Sequence, residues 1–274
     1  MAKKANATKK KTPRDESSTE TKTTVKTVST AKKHSFGRRL ESDLSSRTLW
    51  CALAAELVGT FLLAAVILTS QGSPIFVMFG LIGIVLILGG VSGAHVNPAI
   101  TVAAWATRRI GWLRALGYIF AQFLGAALAY FAFSAFIGGA TQPTAEQQLY
   151  GQTAASLFKA ADISSLSGKE WYVFFSELLG TAILGFGVAA ALRAKDALHA
   201  GYSAAAGIFI GLMVSVTAAG YVSATAIMNP AVALSLQAYS TSAWSYIAYA
   251  LGPIIGGVLG FIIHDLIKGK KAAA

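Results

Sequence analysis

The stretch GAHVNPAITVA at residues 93–103 is matched by a second stretch, TAIMNPAVALS, at residues 225–235. In each, an Asn-Pro-Ala triplet precedes a short apolar run. Asn is a favoured helix N-cap because its side-chain oxygen accepts an unpaired backbone N–H, and Pro is favoured at the first helical position because it loses no hydrogen bond there. The triplets, which predict two helix starts, are Asn97, Pro98 and Ala99 and then Asn229, Pro230 and Ala231.

The helices that begin at these triplets are too short to cross a membrane. Their apolar stretches cover residues 97–108 and 229–240, and about 12 residues of helix rise about 18 Å, roughly half of a bilayer. Non-helical backbone at that depth must be buried in protein or line a cavity. The residues just before each triplet are therefore predicted to run through the membrane interior beside a cavity.

Six longer apolar runs accompany the two short ones, and each is near the ~20 residues that span a bilayer core. They cover residues 49–70, 74–92, 112–137, 171–192, 202–220 and 243–267. Only 13% of the residues are charged, against about 25% in soluble domains. The sequence thus predicts an all-α membrane protein with six transmembrane helices and two re-entrant half-helices.

The spanning runs repeat along the chain as well. AELVGTFLLAAV at residues 55–66 matches SELLGTAILGFGV at 176–188, and YIFAQFLGAALA at 118–129 matches YIAYALGPIIGG at 246–257. Because each half has three spans, the second half enters the membrane from the opposite side. This inverted repeat, predicted at residues 49–137 and 171–267, is typical of channels and transporters with a site between the repeats.

Positive charge is concentrated near the N-terminus. Residues 1–49 contain 13 of the 23 Lys and Arg, and residues 1–46 are predicted to form a disordered basic cytoplasmic tail. A channel domain at 47–268 and a cytoplasmic tail at 269–274 follow. Nucleic acid is not expected as a partner, because no nucleic-acid motif accompanies the charge. The later basic residues fall on the side of the tail, which predicts cytoplasmic termini; they are Arg108, Arg109, Arg114, Arg193, Lys195, Lys268, Lys270 and Lys271.

Two acidic residues, Glu56 and Glu177, lie inside predicted spans at equivalent positions of the two repeats. An intramembrane carboxylate is energetically costly and is a functional candidate. We expect both to accept hydrogen bonds from the non-helical backbone around His95 and Thr225. Proton relay is the less favoured alternative, because no chain of titratable partners accompanies them. His95 is expected to be a hydrogen-bonded polar group of its loop, with a role as a gate or as a proton-linked residue as the alternatives.

These motifs resemble those of the aquaporins, or major intrinsic proteins, over residues 49–267. The resemblance rests on SGAHVNPA at 92–99, MNPA at 228–231, the paired AELVGT and SELLGT, Gln122 with Gly125, and LGPIIGG at 251–257. It implies a right-handed bundle of six tilted helices and a homotetramer with one pore per subunit. It also implies a multi-pass protein of the plasma membrane that passes water or small neutral solutes, with no cofactor and no metal.

One position departs from the aquaporin pattern. Most aquaporins carry an Arg directly after the second NPA, where it narrows the outer pore as a selectivity filter, and this chain has Val232 there. Counting back from the NPA asparagines without gaps, the resemblance puts the other filter positions at Val77, Thr217 and Ala226. A ring of this kind is mostly apolar, which makes it costly to strip water from a polar solute. It also lacks the fixed cation that would repel protons and cations.

The leading hypothesis is therefore a passive channel for water and/or small uncharged solutes. One alternative is an ion-permeable channel of the same fold, since Val232 replaces the Arg. Another is a closed structural membrane protein whose basic tail binds partners. An enzyme is not expected, because the sequence shows no catalytic pair with useful spacing.

Overall fold

The computed structural model of the chain describes residues 44–269, which form helices and no β-strand. The predicted tails at residues 1–46 and 269–274 lie outside the described residues, apart from 44–46 and 269. The helices are α1 (Arg47–Thr69), α2 (Pro74–Ser92), α3 (Pro98–Ala106), α4 (Trp112–Gly138), α5 (Ala145–Leu149), α6 (Glu170–Ala191), α7 (Ala197–Gly220), α8 (Pro230–Ser235) and α9 (Ala243–Lys268). A 3₁₀ turn, Ile163–Leu166, precedes α6.

Six of these helices, namely α1, α2, α4, α6, α7 and α9, are long and apolar enough to cross a membrane. The predicted fold of six spans and two half-helices is thereby confirmed. The fifth span begins five residues before its predicted start at residue 202. It begins there because the carboxylate of Asp196 caps α7, accepting the backbone N–H of His199 at 2.9 Å.

Both half-helices are shorter than the apolar stretches that predicted them. α3 has 9 residues and α8 has 6. Each ends in the same way: two residues after the last helical position the backbone turns left-handed, at Arg108 with φ 60° and at Gln237 with φ 55°. A left-handed residue ends a helix because it cannot continue the right-handed backbone path. The apolar letters that follow Ser235 therefore belong to a connecting segment.

Close crossings hold each repeat together. α1 crosses α4 at Gly125, where an added Cβ would collide with the carbonyl oxygen of Leu57, and α6 crosses α9 at Gly256, where it would collide with that of Leu178. Small residues allow this approach of helix backbones in lipid. The half-helices connect the repeats, since α3 packs against α9 and α8 packs against α4.

These crossings correct one of the predicted repeat matches. Gly125 and Gly256 occupy the same place against equivalent residues of α1 and α6, so α4 and α9 correspond with an offset of 131 residues. The letters YI, which occur at residues 118 and 246, had suggested an offset of 128 residues. Tyr118 therefore corresponds to Tyr249, and both are fully buried and donate a hydroxyl hydrogen bond to a backbone oxygen, Ser92 O at 2.7 Å and Thr225 O at 3.1 Å. A π-helical turn at Ile247–Leu251 surrounds Tyr249.

Candidate functional site

A cavity of about 350 Å³ runs between the two repeats. At one end it is lined by Lys195 and Asp196, which follow α6, and at the other by Gly72, which follows α1, together with Phe158. Because α1 and α6 are the first and fourth of six alternating spans, their C-terminal ends lie on opposite sides of the bundle. The cavity thus has residues of both faces in its lining. We call its ends the Asp196 mouth and the Phe158 mouth.

The two Asn-Pro-Ala segments meet in the wall of this cavity. Asn97 Oδ1 accepts the N–H of Ala99 at 2.9 Å, and Asn229 Oδ1 accepts that of Ala231 at 3.0 Å. Their amide nitrogens reach across to the other repeat: Asn97 Nδ2 donates to Met228 O and Asn229 Nδ2 donates to Val96 O, both at 2.9 Å. Each amide group has two N–H bonds, so the cross-link uses one and leaves the other beside the cavity.

The backbone before the first triplet is held by Glu56, which is fully buried. Its Oε1 accepts the N–H of His95 at 2.9 Å, and its Oε2 accepts that of Val96 at 2.7 Å. These hydrogen bonds fix a strained path, because Ala94 and Val96 have φ values of 47° and 43°, a region that β-branched residues rarely adopt. The carboxylate thus satisfies the two buried N–H groups, and these hydrogen bonds hold the strained backbone in place.

Polar side chains surround this carboxylate. Glu56 also accepts the hydroxyl of Ser92 at 2.6 Å and the amide of Gln122 at 2.7 Å. The Gln122 amide also donates to Thr101 Oγ1 at 2.9 Å, and His95 Nδ1 lies 3.3 Å from the same hydroxyl. His95 lines the cavity and is 5% exposed, so its ring joins the network on one side and faces the cavity on the other.

The second repeat keeps only part of this arrangement. Glu177 is fully buried and accepts the N–H groups of Ile227, at 2.5 Å, and Met228, at 2.6 Å. These donors lie in the non-helical backbone around Thr225, where they were expected. They are the two residues directly before Asn229, as His95 and Val96 are before Asn97. The hydroxyl of Thr225 instead accepts the N–H of Ala161 at 2.9 Å.

Three of the four residues assigned to the filter line the cavity. Val77 is 1% exposed, Val232 is 0% exposed and Ala226 is 9% exposed. Thr217 does not line it: its side chain is on the exposed face of α7, and its hydroxyl donates to Met213 O of the same helix at 2.8 Å. On α7 the lining residues recur every three or four positions as Ala197, Ala200, Ala204, Ile208 and Leu212.

The misplacement of Thr217 has a simple geometric cause. Thr217 is five residues beyond Leu212, so it lies about 140° around the helix from the lining face. A gap-free count from Asn229 cannot detect this difference, because α7 ends at Gly220 and a turn of several residues follows. Leu212, which follows Ile208 by one turn, lies on the lining face.

Phe158 was missed entirely by reasoning from the sequence. It lies in the connection between α4 and α6, where no periodic pattern or motif marks it, and only tertiary contacts bring it to the cavity. At the opposite mouth, the backbone N–H of His199 and then its imidazole keep the pKa of Asp196 below its usual range. Within residues 44–269, no group of three His, Cys, Asp or Glu is placed to hold a metal ion.

Comparison with known proteins agrees with this architecture. Residues 69–264 match the family model described as major intrinsic protein. An aquaporin of Laccaria bicolor is 34% identical over 244 residues, covering 77% of this chain and 89% of its own length, and the lens fiber major intrinsic protein of Gallus gallus is 31% identical, covering 84% and 86%. The aquaglyceroporin of Plasmodium falciparum has a similar fold, with a TM-score of 0.56 at 20% identity over 80% of this chain and 97% of its own.

Proposed function

Because the chain belongs to the major intrinsic protein family, a family of membrane channels for water or small solutes, we propose that it conducts water and/or small uncharged solutes passively through the cavity between its repeats. One observation carries the proposal. The reciprocal hydrogen bonds of Asn97 and Asn229 bring the start of both half-helices together in the wall of a cavity lined from both faces of the bundle.

The contact between the half-helices supports selection against cations. Unpaired N–H groups at a helix start carry a partial positive charge of up to about half a unit. Two such starts at the same depth oppose a cation in an environment of low dielectric constant, while a neutral solute meets no such barrier. The remaining N–H bonds of Asn97 and Asn229 can donate to a passing oxygen atom.

The cavity lining nearer the Phe158 mouth favours solutes different from those favoured by a filter that contains an arginine. Val77, Leu212, Ala226 and Val232 carry no polar side-chain atom, so a solute that passes there can hydrogen-bond only to backbone or to accompanying water. Removing water from a polar group without replacement costs several kcal/mol. We therefore propose these four residues as the filter, in which Leu212 takes the place assigned to Thr217.

The outer surface supports an assembled protein embedded in lipid. Large apolar side chains are widely exposed along the spanning helices, among them Phe76, Phe79, Phe120, Phe131 and Phe136. Lipid and neighbouring subunits both bury such surface. We propose a homotetramer with one passage per subunit, in the plasma membrane, with both termini in the cytoplasm.

The test is osmotic shrinking of proteoliposomes, followed by stopped-flow light scattering, for the natural chain, a Val232→Arg variant and a Val232→Ile control. Shrinking faster than in protein-free vesicles supports conduction of water. If water conduction is slow, uptake of glycerol and urea is measured in the same vesicles. Permeability at the level of protein-free vesicles for every solute, with folded protein in the membrane, contradicts the proposal.

A second candidate, conduction of ions, is favoured by one observation, the apolar side chain of Val232 where a fixed cation would repel ions. Without that charge, the half-helix starts are the main electrostatic barrier in the passage. Current recorded across planar bilayers, absent in the Val232→Arg variant, would support ion conduction. A silent bilayer that holds protein active in the vesicle assay removes it.

A further inference from the structure

The segment at residues 156–161 is fixed to both repeats. The backbone N–H of Phe158 donates to Leu68 O at the end of α1, and that of Ala160 donates to Leu236 O at the end of α8, both at 3.0 Å. Ala161 N donates to Thr225 Oγ1 at 2.9 Å, and the Gln71 amide donates to Ser156 O at 3.1 Å. These four hydrogen bonds hold a connecting segment as part of the cavity wall.

This anchoring places the ring of Phe158 against Gly72. A Cβ atom added at Gly72 would come 2.6 Å from Cε1 of the ring, and Gly72 has a φ of 68°. Glycine suits this position, because it adopts a left-handed backbone without strain and leaves the space that the ring occupies. Within residues 44–269, Phe158 is the only Phe, Tyr or Trp whose side chain lines the cavity.

We propose that Phe158 sets the upper size of the solutes that pass, as a fifth member of the apolar filter, an inference that rests on the proposed function. The other four members, Val77, Leu212, Ala226 and Val232, come from spanning helices and re-entrant segments. Their side chains are smaller than a phenyl ring, and none of them is aromatic. The ring narrows the Phe158 mouth from the side of the connecting segment.

The physical basis is steric. A phenyl ring is rigid beyond its two side-chain torsions, and the fixed backbone of residues 156–161 prevents the ring from moving aside as a unit. The ring has no donor or acceptor to compensate a dehydrated solute, so it selects by cross-section and by degree of hydration. The solute class that fits is small, uncharged and weakly hydrated, with larger polyols excluded.

The experiment compares proteoliposome uptake of water, glycerol, erythritol and xylitol by the natural chain, Phe158→Ala, Phe158→Trp and the control Phe136→Ala. Phe136 is 74% exposed and lies outside the cavity lining. A change in the size of an apolar side chain at a selective site alters the discrimination between two solutes by about tenfold or more. We expect the ratio of polyol to water permeability to rise by that factor in Phe158→Ala, to fall in Phe158→Trp and to stay unchanged in Phe136→Ala.

The outcomes separate this inference from the proposed function. A natural chain that conducts, with the same polyol-to-water ratio in Phe158→Ala, overturns the role of Phe158 and leaves the channel function intact. No conduction by any of the four proteins overturns both. Conduction by Phe158→Ala alone contradicts the proposed function and overturns the inference as well, because no solute then passes the natural chain for the ring to select. Circular dichroism and the protein content of the vesicles confirm that each variant is folded and inserted.

Discussion

At the scale of single residues, Glu56 and Glu177 determine whether the re-entrant backbone can exist inside a bilayer. Each carboxylate places one oxygen opposite each of two consecutive backbone N–H groups. Both carboxylates are fully buried, and a buried N–H donor that is left unsatisfied costs about 1–3 kcal/mol. A carboxylate is suited to this task because both of its oxygens accept hydrogen bonds.

We predict that Glu56→Gln and Glu177→Gln each lower the free energy of unfolding by about 1–3 kcal/mol, because an amide places an NH₂ group opposite one of the two backbone donors. Thermal unfolding in detergent, followed by circular dichroism, measures the change. The exposed Glu146→Gln on α5 is the control and should unfold like the natural chain. Unfolding midpoints equal to that of the control would show that the carboxylates are not needed for stability.

The residues of the candidate site show what can and cannot be predicted for single residues from the sequence. The sequence identified Glu56, Glu177 and both asparagines, because an acid in a span and a repeated helix cap are local signals. It placed Thr217 in the lining, because counting residues ignores the direction of a side chain. It did not find Phe158, because the four hydrogen bonds that position the ring join distant parts of the chain.

At the scale of elements, the bundle depends on two helix crossings that leave no room for a side chain. Gly125 lies against Leu57 and Gly256 lies against Leu178. We predict that Gly125→Ala and Gly256→Ala each destabilise the protein by about 1–3 kcal/mol, because the added methyl group forces the helix pair apart. Melting temperatures in detergent measure the loss.

Gly83→Ala is the matched control for these two variants. It adds the same methyl group to a spanning helix, α2, at a position where nothing lies within 4 Å of the added Cβ. Replacement of Gly by Ala inside a helix is otherwise favourable by about 1 kcal/mol, so this control should be as stable as the natural chain or more so. Equal losses in all three variants would mean that the crossings are not the cause.

The elements were largely predictable, and the errors have physical reasons. Spans are marked by long apolar runs, which lipid requires, so their boundaries fell within about five residues of those observed. The half-helices are shorter than the apolar stretches that predicted them. The left-handed residues that end them, Arg108 and Gln237, are not marked by any change in the apolar pattern of the sequence. The register of α9 was wrong by three residues, because the shared letters YI coincide by chance and contacts of Gly256 fix the correspondence.

An ion-paired cluster joins three elements at the Asp196 side of the bundle. Asp265 Oδ1 of α9 accepts Arg109 at 2.8 Å and Arg193 at 3.0 Å, and Arg193 also donates to Gly269 O at 3.0 Å. The Arg109 guanidinium lies 4.8 Å from the centre of the Phe261 ring. The cluster connects the residues that follow α3 and α6 to the last turn of α9.

We predict that Asp265→Asn lowers stability by about 1 kcal/mol, a modest loss because the three side chains are partly exposed and screened by solvent. Melting in detergent at low and at high salt measures it, and the loss should shrink in high salt. Glu146→Gln serves again as the control. A loss that is independent of salt would assign the effect to packing of α9 and not to charge.

At the scale of the whole molecule, the distribution of charge supports the orientation that we propose. Within residues 44–269, the basic side chains on the Asp196 side include Arg108, Arg109, Arg114, Arg193, Lys195 and Lys268. The connection between α4 and α6, on the opposite side, has Lys159 and Lys169 together with two acidic residues, Glu146 and Asp162. Because Lys and Arg are enriched in cytoplasmic loops, we propose that the Asp196 mouth faces the cytoplasm and the Phe158 mouth faces outside.

This orientation predicts which side of the membrane each loop can be labelled from. In a Cys51→Ser background, which removes the single cysteine, a cysteine is placed by Tyr150→Cys or by His199→Cys. Tyr150 is 82% exposed, and the His199 side chain is 76% exposed. In intact cells a membrane-impermeant maleimide should label the Tyr150→Cys protein and leave the His199→Cys protein unlabelled until the membrane is permeabilised. The reverse pattern would place the apolar filter and Phe158 at the cytoplasmic face, so that solutes leaving the cell would meet the filter first.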